Sequence, residues 1–229
     1  MKILAIETSC EHASVALLID DEVVQRRLEG HANHSEYLLP TVRSLLADSG
    51  SSLTGLDAVA FGAGPGAFTG LRLACGAAQG IAMGAGLGVV PVSSLAALAL
   101  QGEGEAVFVA TDARMGEVYS AAYRVRGIEV TECRAPTCTP PRDLSPPEGS
   151  WFGIGSALRA YAADLPPSLL ARLHGQNPVA VPAAADVARL AASRFLAGEA
   201  VAPEAASPFY VRDKVALTTA ERLARGGRA

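Results

Sequence analysis

Apolar and polar positions along the chain follow two different periods. Lys2 to Ile6 is an apolar run closed by the polar stretch Glu7-Thr8-Ser9-Cys10-Glu11. Ser14 to Ile19 and Glu22 to Leu28 are two more strand-like runs, and Asp20-Asp21 between them forms a two-residue turn, so the chain opens as a strand followed by a hairpin. From His31 to Gly50 the period becomes helical. Leu38, Leu39, Val42, Leu45 and Leu46 share one face, Ser35 is the expected N-cap, Pro40 is expected to bend the helix, and Gly50 stops it. Ala58 to Phe61 is a short buried strand that runs into Gly62, Gly64 and Gly66, with Pro65 between the last two. Phe68, Leu71, Cys75 and then Ala78 or Ala82 recur at helical spacing to near Gly88. Gly88 to Val92 reads as a strand, and Ser93 to Leu100 as a helix capped by Ser93 or Ser94.

After the polar, glycine-rich junction Gln101 to Glu105 the same order returns. Ala106 to Thr111 is an apolar run that ends in Asp112-Ala113-Arg114-Met115-Gly116, and Glu117 to Val125 with Ile128 to Cys133 forms a second hairpin. Trp151-Phe152-Gly153-Ile154-Gly155-Ser156 parallels Ala60-Phe61-Gly62-Ala63-Gly64. An acid closes the first strand of each half, Glu7 and then Asp112. These parallels predict a duplicated α/β fold, with one lobe over residues 1–103 and a second over 104–204. A return of 205–229 to the first lobe is left open. Ala135 to Gly149, with five prolines, is expected to be a surface loop, and Pro178 to Val181 a short strand. Ala183 to Leu196 is an alanine-rich helix with Val187, Leu190, Ala191 and Phe195 on one face. The segment from Ser207 begins a tail expected to be polar and frayed beyond Leu217.

Composition narrows the class. Half of the 229 residues are hydrophobic and 18% are charged, which describes a globular chain. A net charge of −4 argues against a protein that holds nucleic acid mainly by itself, so an RNA-related role passes through a partner. Cys10, Cys75, Cys133 and Cys138 form no C-x-x-C pair and no spaced ligand set. With no signal-peptide pattern at Met1-Lys2-Ile3, they read as reduced thiols of a cytoplasmic protein. Leu73 to Val92 lacks charge, but its five glycines, Gln79 and Pro91 argue against a membrane span.

The glycine turn at 62–66 links a strand to a helix N-terminus, a geometry that often turns backbone amides toward an anion. No Gly-Lys-Ser/Thr follows, and the spacing is not that of a dinucleotide fingerprint. A tightly packed turn and a phosphate cradle both remain open. Farther along the helix, Gly76, Gly80 and Gly84 recur every four residues. Each costs about 1 kcal/mol relative to alanine, so the row points to close approach by another helix, of this chain or of a second. His31 and His34 lie three apart without a third ligand nearby, which favours a solvated helix entry over a metal site, and His174 reads as a surface residue.

Two halves that each open with an acid-ended strand and a hairpin resemble the duplicated RNase H-like (ASKHA) fold, two lobes of mixed sheet flanked by helices. Ile6-Glu7-Thr8-Ser9-Cys10, Gly64-Pro65-Gly66-Ala67-Phe68-Thr69-Gly70-Leu71-Arg72, Asp112-Ala113-Arg114-Met115-Gly116-Glu117-Val118-Tyr119 and Pro208-Phe209-Tyr210-Val211-Arg212 together resemble the TsaB (YeaZ) family of bacterial tRNA threonylcarbamoyladenosine biosynthesis proteins. The likeness runs from Met1 to about Ala216. It implies an accessory subunit, not a catalyst. The related TsaD transfers threonylcarbamoyl to adenosine 37 of tRNA and carries His-x-x-x-His on the helix after its fourth strand. By that alignment Ser94 and Leu98 replace the two histidines here.

The implied partners are TsaD first and TsaE second, with a homodimer when TsaD is absent and tRNA reached only through the complex. The partner face is implied to hold Leu39, Val42, Leu46, Phe68, Leu71, Arg72, Cys75, Gly76, Gln79 and Gly80. No cofactor is expected of the chain alone. Glu7, Thr8, Asp112, Gly153 and Gly155 mark a vestigial nucleotide cleft, with ATP or ADP expected only at the subunit junction. Arg72 and Arg114, beside glycine turns, face a partner or nucleotide on one reading and are plain surface charge on the other. Two enzyme readings stand as rivals. A small-molecule kinase would work through Glu7 and Asp112. A metallopeptidase would need a ligand set such as His-Glu-x-x-His, which the sequence lacks.

Overall fold

The computed structural model describes residues 1–29 and 34–212. Three strands open the fold: β1 (Lys2–Glu7), β2 (Ser14–Ile19) and β3 (Glu22–Arg27). They form an antiparallel meander in which Lys2 faces Ile19 and Glu7 faces Ser14. Helix α1 (His34–Asp48), β4 (Ala58–Gly64), α2 (Phe68–Ala85), β5 (Gly88–Ser93) and α3 (Ser94–Ala99) complete the first half. Strands β4 and β5 run parallel to β1, giving the order β3-β2-β1-β4-β5.

The second half repeats this pattern. It contains β6 (Ala106–Asp112), β7 (Val118–Arg126), β8 (Glu129–Thr139), β9 (Trp151–Ile154), α4 (Ala157–Ala160), α5 (Pro167–Leu170), β10 (Leu173–Asn177) and α6 (Ala184–Leu196). Its order, β8-β7-β6-β9-β10, has the same antiparallel and parallel pairs as the first sheet, strand for strand. The duplicated α/β architecture expected from the hairpin repeat is therefore the one adopted. Glu7 and Asp112 take equivalent places at the carboxyl ends of β1 and β6.

Sheet alternation explains the core. One face of the first sheet presents Leu4, Ile6, Leu17 and Phe61 to α1 (Leu38, Val42, Leu45) and α2 (Ala74, Cys75, Ala78, Ala82). The other face, with Ile3, Ala5, Ala16 and Val90, meets α3 and α6. Through them it continues into Val107, Val109, Tyr119 and Tyr123 of the second sheet. Helix α6 follows the second sheet in the chain but lies on β1, β2, β4 and β5 of the first. Leu98, at the centre of this shared layer, is fully buried, and its truncation to alanine would cost about 2–5 kcal/mol.

Several local expectations change. Helix α1 already includes His34, so Ser35 sits in its first turn rather than capping it. His31 lies outside the described residues, as does the tail beyond Arg212. The proline-rich stretch is not all loop, because β8 continues to Thr139 through Pro136. An edge strand tolerates a residue without an N–H, and β8 is at the edge of its sheet. The final strand is not Pro178–Val181 but β10, Leu173–Asn177. Asn177 turns the chain there, its side-chain oxygen accepting from the amides of Val179 and Ala180. Helix α2 stops at Ala85 because Gly86 takes a left-handed cap conformation at φ 69°.

Candidate functional site

The carboxyl ends of β1, β4 and β6 open onto a cleft between the halves. Its walls are the turn Thr8–Glu11, the glycine turn at Pro65–Gly66, the first turns of α2, the turn Asp112–Met115, Tyr119 and the segment Phe209–Arg212. They enclose about 790 Å³. A smaller polar extension of about 190 Å³ runs past Asp112 to Ser156, Arg159 and Pro182.

Glu7 does not face this space. Its side chain is 0% exposed and its two oxygens are engaged, Oε1 by the Ser9 amide at 2.6 Å and Oε2 by the Ser94 hydroxyl at 2.8 Å. Ser94 Oγ also accepts from the Gly64 amide at 3.2 Å, so this network ties together the ends of β1 and β4 and the start of α3. Gly62 belongs to the same arrangement, because a β-carbon there would collide with the Glu7 carboxylate. Burial pushes the Glu7 pKa up, and the bonds from Ser9 and Ser94 offset only part of that. Burial, aided by the nearby Glu7 charge, also pushes the Cys10 thiol up to about 12, which removes it as a thiolate nucleophile near neutral pH.

Asp112 lines the cleft, and each of its oxygens has a partner. Its Oδ1 accepts from the Arg114 amide and from the Tyr161 hydroxyl, both at 2.8 Å, and its Oδ2 lies 3.3 Å from Arg114 Nη1. The Ser156 hydroxyl accepts from the Asp112 amide. Arg114 also reaches across to Glu11 of the first half at 3.4 Å. Thr8 donates to the Gly70 carbonyl at 2.7 Å. Gly153 and Gly155 do not line the cleft. Gly153 packs on Leu158 and Leu173, and a β-carbon on Gly155 would strike the Ala110 carbonyl. Their lack of a side chain serves sheet packing. The first glycine turn is explained the same way, since Gly66 is pressed against Ser9 and a β-carbon on Gly70 would strike the Thr8 carbonyl. The Ala67 amide donates to the Ser9 carbonyl at 2.7 Å. The tightly packed turn is the geometry observed.

The candidate partner residues divide into two sets. Val42, Leu46, Leu71 and Cys75 point into the chain's own core, because the helical stripe that carries them is the one that seals the first sheet. Leu39, 55% exposed, lies on the outer side of α1. Arg72, Gly76 and Gly80 are exposed on α2, together with Gly84 and Met83. Among the described residues, a β-carbon on Gly76, Gly80 or Gly84 would meet nothing within 4 Å. Gln79 and Cys75 turn inward and donate to the Ala206 carbonyl. Phe68, half-buried, stacks beneath the Arg72 guanidinium, whose carbon is 3.7 Å from the ring centre.

The family described as "TsaD: tRNA N6-adenosine threonylcarbamoyltransferase" matches residues 29–218. An Escherichia coli K12 protein, "tRNA threonylcarbamoyladenosine biosynthesis protein TsaB", is 38% identical over 94% of this chain and 96% of its own length. The chain belongs to the TsaB family. The solved structure of YeaZ from Pseudomonas aeruginosa superposes with a TM-score of 0.83 at 36% identity, covering 91% of this chain and 99% of that one. A second Pseudomonas aeruginosa structure, described as similar to the peptidase YEAZ, superposes at 0.82 with 36% identity over 92% of this chain and 99% of the other.

Ser94 and Leu98 are the positions expected to stand in place of a metal-binding histidine pair. Ser94 is spent on Glu7 and Leu98 is in the shared core, so this pair does not fit a metal ion. A magnesium site shared by Glu7 and Asp112 does not fit either, since Glu7 is buried away from the cleft that Asp112 lines and Asp112 is paired with Arg114. Among the described residues no group of three or more His, Cys, Asp or Glu is arranged to hold a metal. No helix among them is long and apolar enough to cross a membrane. Tyr161 and Glu11 carry no signal in the sequence because each meets its partner across a fold contact without a local motif. Phe209, Tyr210 and Arg212 carried a signal, two aromatics and an arginine behind a proline in an otherwise polar tail.

Proposed function

We propose that this chain is an accessory, non-catalytic subunit in bacterial tRNA N6-threonylcarbamoyladenosine biosynthesis, acting in the cytoplasm. It binds and stabilises TsaD and helps recruit TsaE. It pairs with a second copy of itself when TsaD is absent, and it meets tRNA only within the assembly. The observation that carries this reading is the bare outer face of α2. Arg72, Gly76, Gly80, Met83 and Gly84 form an exposed strip on which three glycines leave open space where side chains would stand. Glycine in a helix interior costs about 1 kcal/mol per site, and among the described residues no contact offsets that cost at these three positions. A helix laid along the strip would gain close backbone approach. The state of the acids supports the same reading, because Glu7 is sealed and Asp112 is occupied. Nucleotide, on this view, is held only where the cleft meets TsaD.

Calorimetric titration of the chain with purified TsaD, then with ATP–Mg²⁺, tests the proposal. Expected are saturable binding of TsaD and no ATP turnover by the chain alone. Gly80→Leu is expected to weaken TsaD binding at least about tenfold, as central interface positions do, with an unchanged circular-dichroism spectrum. ATP turnover without affinity for TsaD would replace this reading with the small-molecule kinase. Unchanged affinity of Gly80→Leu would remove α2 from the interface.

A further inference from the structure

After α6 the chain turns back over the first half and then leaves it. Val201 bridges to Val89 of β5, and the Ala206 carbonyl takes Gln79 of α2. The Phe209 amide donates to the Ala63 carbonyl at the end of β4 at 2.7 Å. Tyr210 packs on Phe68 with ring centres 5.6 Å apart, and its hydroxyl accepts from Arg72 Nε at 3.2 Å. Two residues later the chain is anchored in the other half. Arg212 Nη2 lies 2.5 Å from the Glu117 carboxylate and donates to the carbonyls of Ala113 at 3.1 Å and Arg114 at 3.3 Å. Its guanidinium carbon stands 5.7 Å from the centre of the Tyr119 ring.

The turn that Arg212 grips has an unusual backbone. Arg114, Met115 and Gly116 have successive φ values of 61°, 59° and 76°. Two non-glycine residues in the left-handed region are disfavoured unless surrounding contacts hold them. Arg212 supplies such contacts through the carbonyls of Ala113 and Arg114, on either side of the Arg114 α-carbon, and through Glu117. The same turn carries Arg114, which binds Asp112 and crosses to Glu11. Among the described residues, Arg212 Nε is buried without a hydrogen-bond partner, which penalises the docked arrangement. The attachment combines polar contacts at its two ends with Val211, which packs against the shared core between them.

We propose that residues 207–212 are a clasp between the halves, latched by Arg212 on the turn after β6. Release of the latch loosens the cleft wall and frees Arg72 at the start of the bare α2 face. Arg212 is thus a positioning residue that couples the cleft to the outer helix surface. This inference goes beyond the partner assignment and stands whether or not α2 meets TsaD.

Hydrogen exchange read by mass spectrometry on the full chain, without partners, tests it. Arg212→Ala is expected to speed exchange about tenfold, the factor carried by loss of one charge-assisted hydrogen bond. The increase should appear in peptides covering 209–212 and 113–117 and be absent from 2–7. Arg212→Lys keeps the charge without the planar fork and should fall between. Glu117→Gln, on the turn's surface, should reproduce part of the effect and decides the matter if Arg212→Ala unfolds. Accelerated exchange at 113–117 with 209–212 unchanged in both Arg212→Lys and Glu117→Gln would overturn the clasp. Unchanged exchange in both regions would overturn it as well.

Discussion

Glu7 and Asp112 close equivalent strands of a duplicated fold, yet their surroundings differ in almost every respect. Glu7 is sealed beneath the glycine turn and shared between Ser9 and Ser94, while Asp112 lies on the cleft wall with Arg114 and Tyr161. The helices differ in the same way. After β4 the first half builds α2, 18 residues long, with one buried and one bare face. After β9 the second half has only α4 and α5, four residues each. Duplication preserved the sheets, whose register is set by buried alternation, and left the strand-to-helix connections free to diverge. The first half kept a long helix with an outward surface, and the second contributed α6 to the layer between the sheets.

Four substitutions break or sharpen this comparison. Gly70→Ala and Gly80→Ala lie on the same helix, yet only the first places a β-carbon against backbone, at the Thr8 carbonyl. Gly70→Ala should destabilise the chain by about 3 kcal/mol, seen as a lower urea midpoint with an unchanged slope. A midpoint equal to wild type would show that the turn can relax. Glu7→Gln comes next. Because burial raises the Glu7 pKa, the folded chain holds that proton more tightly than the unfolded chain does. The resulting stability is complete below the ordinary carboxylate range and is lost as pH rises through the raised value. Glu7→Gln should thus match wild type most closely at acid pH and exceed it increasingly toward alkaline pH. A constant stability difference across that titration would count against a neutral buried acid.

Gly80→Ala should do the opposite of Gly70→Ala and raise stability by up to about 1 kcal/mol. Thermal melts at one fixed concentration measure this, and a lowered midpoint would mean that the α2 face is not bare. The smallest effect is expected in the second half. Tyr161→Phe removes the hydroxyl that donates to Asp112 and should cost under about 1 kcal/mol, since the site is open to water. A larger loss would make Asp112 as structural as Glu7.

The hairpins, the acid-ended strands and the two strand–glycine turns were legible because they are local patterns of alternation and turn chemistry. The buried stripes of α1, α2 and α6 were legible for the same reason, except that Leu39, expected on the α1 stripe, faces outward. What a buried stripe faces was not. Leu71 and Cys75 share a helix with Gly76 and Gly80, and only the fold shows that the two apolar side chains seal the sheet while the two glycines face outward. Strand β10 was hidden because an edge strand with His174 and Gln176 exposed lacks an apolar run. The sealing of Glu7 depends on Ser94, 87 positions away, and the clasp joins Arg212 to Glu117 across a comparable distance. Neither leaves a periodic trace.

The placement of α6 also has a consequence for how the chain is made. One face of the first sheet is covered by a helix that leaves the ribosome almost a hundred residues after that sheet's last strand. At about 5–20 residues per second, the part of the completed sheet face that α6 covers waits roughly 5–20 s after β5 is made. Through that interval the nascent first half presents an open apolar wall. The amino-terminal half produced alone would keep that wall permanently, and chaperone dependence of the full chain should end only when residues 184–196 emerge.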